Sequence, residues 1–112
     1  MNIRTDLIAR LAKEYKELRA EMRSCYISST PFIIEIGGLY VTPEFKDGKT
    51  TGAVKLSVNP LRVTRFCRID AARLAATVKN RAGETGKAVG VYNATRTRHD
   101  QVKELMKTLA QQ

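Results

Sequence analysis

The chain is 112 residues long and carries 20 lysine and arginine side chains against 11 aspartates and glutamates, a formal net charge of +9 with an isoelectric point near 9.9. That length suits one domain over residues 1–112, and apolar residues at 43% with charged residues at 28% exclude a disordered basic tail. No apolar run is long enough to cross a bilayer, Met1-Asn2-Ile3-Arg4-Thr5-Asp6 lacks the apolar segment of a signal peptide, and Cys25 and Cys67 form no Cys-x-x-Cys motif, so the expectation is a cytoplasmic protein with no membrane partner.

Residues 6–24 predict an amphipathic helix, because Leu7, Leu11, Tyr15, Leu18 and Met22 recur at spacings of four or three and Ile8 widens the stripe. Thr5 or Asp6 is the expected N-cap. The polar residues separate into two flanks, Lys13, Lys16, Arg19 and Arg23 on one side and Glu14, Glu17 and Glu21 on the other, with Arg10 placed to pair with Glu14. Either the helix has a functional cationic edge, or its charges are simply solvated. The near neutrality of residues 1–54, with 8 basic and 7 acidic side chains, favours the second.

Ser28, Ser29, Thr30 and Pro31 break that helix. Residues 32–36 and 39–42 read as strands joined through Gly37-Gly38 in a hairpin, and Pro43 is expected to end or kink the second. Because Phe32-Ile33-Ile34 is apolar on both faces, the first strand is expected to be central or covered by a helix. Asp47-Gly48-Lys49 is a turn, followed by a strand over residues 53–58 with Val54, Leu56 and Val58 on one face. Residues 59–69 admit two readings. As a strand they place Arg62, Thr64, Phe66 and Arg68 on one face; alternatively Asn59-Pro60 starts a helix as N-cap and first residue. The β-favouring Val63, Thr64, Phe66 and Ile69 make the strand the preferred reading.

Asp70 is the expected cap of a helix over residues 71–82, ended by Gly83 and packed through Ala71, Leu74, Ala75, Val78 and Ala82. A strand over residues 88–94 precedes a last helix that runs to about residue 110, capped by Thr97 with Asp100 and packed through Val102, Leu105, Met106 and Leu109. The order α-β-β-β-(β)-α-β-α implies an α+β fold, a mainly antiparallel sheet of four to five strands packed by an N-terminal, a middle and a C-terminal helix.

Residues 55–112 carry 12 basic and 4 acidic side chains, so almost all of the excess charge belongs to that half. Apolar residues are interleaved with these charges, which places them on a folded surface. The expected function is non-enzymatic binding of nucleic acid, DNA or RNA, directly or within a nucleoprotein complex, through phosphate contacts. Two groups carry it: Arg62, Arg65, Phe66, Arg68 and Arg73 around the ambiguous segment, where an aromatic between arginines suits a base-stacking face, and Arg96, Arg98, His99, Lys103 and Lys107 on the last helix. The alternative is an adaptor or inhibitor docking on an acidic protein or a nucleoprotein machine, with Phe66 or Tyr40 adding apolar contacts if exposed. A remote third reading is a metal-independent ribonuclease built on Tyr92, Arg96, Arg98 and His99. No metal or cofactor motif is present: His99 is the lone histidine, and Gly83-Glu84-Thr85-Gly86-Lys87 fails the phosphate-loop pattern at both ends. Sheet edges in so small a chain leave a homodimer open.

Overall fold

The computed structural model describes residues 3–24 and 31–111. Helix α1 (Ile3–Ser24) is followed by strands β1 (Phe32–Ile36), β2 (Leu39–Lys46) and β3 (Lys49–Ser57), a 3-10 turn (Pro60–Arg62), helix α2 (Arg68–Ala75), strand β4 (Lys87–Gly90) and helix α3 (Val91–Ala110). The α+β architecture is the expected one. Its four strands form one antiparallel sheet in the order β3-β2-β1-β4. Apart from Pro31, the expected helix break lies outside the described residues.

Both hairpins follow from local chemistry. Gly37 and Gly38 take φ of 56° and 83°, and Asp47 and Gly48 take 54° and 78°, the left-handed pairs that match the right-handed twist of flanking strands. Pro43 does not end β2. The strand continues to Lys46 with a register shift between Pro43 and Phe45. Pairing with β1 has already stopped at Val41, so the N–H that proline lacks is not needed there.

β1 is central and covered on both faces, because successive side chains of a strand point opposite ways. Ile33, with Tyr40 and Val63, meets Val91 and Ala94 of α3 on one face. On the other, Ile34, Ile36 and Val41 meet Ala75 of α2 and the following Val78. The small buried Ala71 and Ala75 bring α2 close to the sheet. α1 packs on α3 through Leu11, Leu18 and Val102, with Tyr15, Leu61, Met106 and Leu109 around them. No helix among the described residues is long and apolar enough to cross a membrane.

Several expected boundaries are corrected. Residues 59–69 form no strand: Asn59 Oδ1 accepts from Leu61 N–H at 2.9 Å, buried Pro60 sits at the start, and a 3-10 turn results. Only Phe66 pairs with the sheet, in a two-hydrogen-bond bridge to Phe32. The capping pair thus overrides the β propensity of the residues after it. α2 starts at Arg68 with Cys67 at the cap and ends at Ala75, so Asp70 lies inside its first turn and bonds Arg73 at 2.9 Å. α3 starts six residues before Thr97, with Val91 N–H donating to Pro31 C=O at 2.7 Å. Thr97 is interior, its hydroxyl donating to Asn93 C=O. Thr5 and Asp6 lie within α1 and do not cap it. Leu105, expected in the core, is 46% exposed.

Thr95 is fully buried in α3, and its Oγ1 has no hydrogen-bond partner among the described residues. An unpaired buried hydroxyl costs about 1–3 kcal/mol. Thr95→Val keeps the shape and removes that group, and it is expected to raise stability by about 1 kcal/mol in a urea melt.

Candidate functional site

α1 and α3 run antiparallel, since Met22 and Arg23 near the end of α1 line one cavity with Tyr92 near the start of α3. At about 100° per residue, Glu14, Glu17 and Glu21 lie on one side of the α1 contact stripe and Tyr15, Arg19, Arg23 and Lys16 on the other. The same wheel for α3 puts Arg98 on one side of Val102 and His99, Arg96, Lys103 and Lys107 on the other. The cross-helix contacts fix how these sides meet. Arg98 grips Glu14 through two bonds, Nε to Oε1 at 2.6 Å and an Nη to Oε2 at 3.1 Å, with the side chains 12% and 16% exposed. Tyr15 and His99 stack on the opposite side with ring centroids 4.5 Å apart.

The acidic flank of α1 is therefore occupied by arginines from later in the chain. Glu21 pairs with Arg65 at 2.7 Å, just as Glu14 holds Arg98. The expected Arg10–Glu14 pair gives way to this longer-range one. The basic flank meets the basic stripe of α3, so that Lys16, Arg19, Arg23, Arg96, Lys103 and Lys107, all exposed, share one side of the helix pair. At 1.5 Å per residue the α3 contribution is about 17 Å long. Two adjoining recesses indent this side, of about 340 Å³ lined by Tyr15, Lys16, Arg19, Ala20 and Arg23, and about 320 Å³ lined by Arg19, Met22, Arg23, Tyr92 and His99. Neither is lined by a carboxylate. The recess on the other side of α1 is lined by Glu17 and Glu21 together with Arg62.

The site residues expected from sequence divide three ways. Arg96, Lys103 and Lys107 fall on the cationic side, as does His99, whose ring stacks on Tyr15 and lies 3.0 Å from Asp100. Arg65 and Arg98 are taken up in ion pairs with α1. Arg68 and Arg73 belong to α2, on the opposite sheet face from α3, and Arg62 lies in the recess beside the glutamates. Phe66 is half-buried against the α2-side core and does not share a strand face with Arg62 and Arg68. The cations that sequence reasoning missed as site residues are Lys16, Arg19 and Arg23. Their segregation on one flank was the available signal.

Tyr40 is buried, and burial with the nearby Glu35 carboxylate raises its pKa above the usual phenol value, while the Arg98 charge acts the other way. Of Tyr92, Arg96, Arg98 and His99, all on α3, Tyr92 and His99 share a cavity and Arg96 lies on the same side, whereas Arg98 is held on the other flank by Glu14. Among the described residues, no group of three His, Cys, Asp or Glu is placed to hold a metal ion. The chain matches no protein-family model, no curated protein and no solved structure.

Proposed function

We propose that this protein binds nucleic acid through phosphate contacts made by the joined basic sides of α1 and α3, as a cytoplasmic binding protein and not as an enzyme. The supporting observation is the convergence of six exposed cations from the two ends of the chain on one side of a helix pair, with the α1 glutamates turned to the other side. Lysine and arginine at such spacing neutralise successive phosphates and release counterions, which gives affinity with little sequence preference.

Fluorescence anisotropy with labelled single- and double-stranded oligonucleotides across a salt series tests this. Arg19→Ala with Arg23→Ala is expected to weaken binding about 10- to 25-fold at 0.1 M salt and to reduce the salt slope by about 1.4 for a single strand. Arg68→Ala with Arg73→Ala, on the far side of the sheet, is expected to change affinity less than about twofold. Absence of binding at low salt, or equal losses from the two pairs, overturns the reading.

A second reading, docking on a protein, is favoured by apolar side chains exposed on the β2–β3 hairpin, Phe45 at 50% and Leu56 at 54%, and just after it, Val58 at 53%. Tyr40 and Phe66 do not serve it, being buried and half-buried. A partner retained in a pull-down after nuclease treatment supports docking; one lost with nuclease supports binding through nucleic acid.

A further inference from the structure

The cavity lined by Arg19, Met22, Arg23, Tyr92 and His99 differs from the rest of the cationic side in chemistry and in shape. Of the remaining cations, Lys16 lines the adjoining recess with Tyr15, and Arg96, Lys103 and Lys107 are exposed along α3. Here two arginines from adjacent turns of α1 line a concavity of about 320 Å³ together with a tyrosine, a histidine and a methionine. The imidazole is held on one face: the His99 ring stacks on Tyr15 at 24° between planes, and the Arg19 guanidinium lies over the same Tyr15 ring at 5.8 Å. His99 also contacts the Asp100 carboxylate at 3.0 Å. Aromatic and sulfur-bearing walls beside paired arginines complement a flat π-system joined to a phosphate.

We infer that this cavity is a nucleotide subsite, which takes one unpaired nucleotide of a bound single strand, its phosphate on Arg19 and Arg23 and its base against Tyr92, Met22 and His99. The inference rests on the nucleic-acid reading above and adds to it a preference for single strands. A duplex keeps its bases stacked inside and has to unstack and unpair one to fill the cavity, which is unfavourable. An unpaired strand delivers a base at no such penalty. Ribose and deoxyribose chains share this chemistry, and the two are separate arms of the test.

The test uses the whole protein, short oligonucleotides and NMR. His99 is the only histidine in the chain, so its imidazole carbon-bound protons give one isolated set of signals. Titration with a thymine or uracil oligonucleotide is expected to shift those signals, and the same strand built wholly of abasic units is expected to bind about 5- to 150-fold more weakly, the range for losing one stacked base. Single strands are expected to bind more tightly than duplexes of the same length at the same salt. If both oligonucleotides bind equally well and the His99 signals stay fixed, the subsite is wrong and phosphate binding by the helix pair stands. If neither binds, both readings fall. Comparing RNA with DNA then identifies which sugar the subsite prefers, without bearing on its existence.

Discussion

Arg98→Ala is expected to destabilise the protein by about 1.5–3 kcal/mol, the range for losing hydrogen bonds to a charged group. The Glu14 and Arg98 side chains are 16% and 12% exposed, and their two bonds join residues 84 apart in sequence. Removing the guanidinium leaves the Glu14 carboxylate at the edge of the Leu11, Leu18 and Val102 seam, with only the exposed Arg10, four residues earlier on the same helix, in position to approach it. Arg98→Lys keeps a charge but loses the fork geometry, so an intermediate loss is expected. Replacing both partners, Glu14→Leu with Arg98→Met, removes the stranded charge as well, and such exchanges are often neutral or stabilising. Urea unfolding of the four variants measures this. An Arg98→Ala loss below about 1 kcal/mol, the range for exposed pairs, contradicts a structural role for this part-buried pair.

Leu18→Ala is the second large effect. Leu18 is fully buried at the centre of the α1–α3 contact, and truncation of such a leucine costs about 2–5 kcal/mol through lost burial and the cavity left behind. Leu105→Ala, by contrast, is expected to lie within about 0.5 kcal/mol of the parent, because that side chain is half out of the core. Both leucines belong to helices whose apolar spacing looks alike. Parallel urea melts therefore separate the observed packing from the one that the spacing of α3 alone suggests, and equal losses at the two positions contradict it.

That contrast shows what the chain reveals without coordinates. Periodicity identified α1 and the central, two-faced character of β1, and glycine chemistry identified both hairpin turns, since these are decided by residues next to one another. Where two local preferences compete, the outcome depended on surroundings. Val91-Tyr92-Asn93-Ala94 reads as strand by propensity, yet Val91 and Ala94 pack as one helix face on Ile33 and Tyr40. Residues 63–69 favour a sheet, but the sheet at Phe32 accepts only Phe66. The candidate site was half visible. Counting charge by halves of the sequence assigned the basic surface to residues 55–112 and left α1 as a nearly balanced helix. Such counting has no access to Glu14–Arg98 and Glu21–Arg65, which spend carboxylates of one half on arginines of the other. Arg65 and Arg98 thereby leave the exposed cationic set, and Lys16, Arg19 and Arg23 enter it.

Because the first and last helices form one layer, the order in which the chain is made acquires a meaning. A growing polypeptide displays α1 with its basic and acidic flanks both uncovered, and Glu14 stays without its arginine until α3 has been synthesised and has folded back on it. Bringing such distant segments together is among the later and slower events in folding. The one-sided cationic surface is thus a property of the completed fold, and a polyanion that grips both helices also holds the two ends of the chain together, favouring the docked state by mass action.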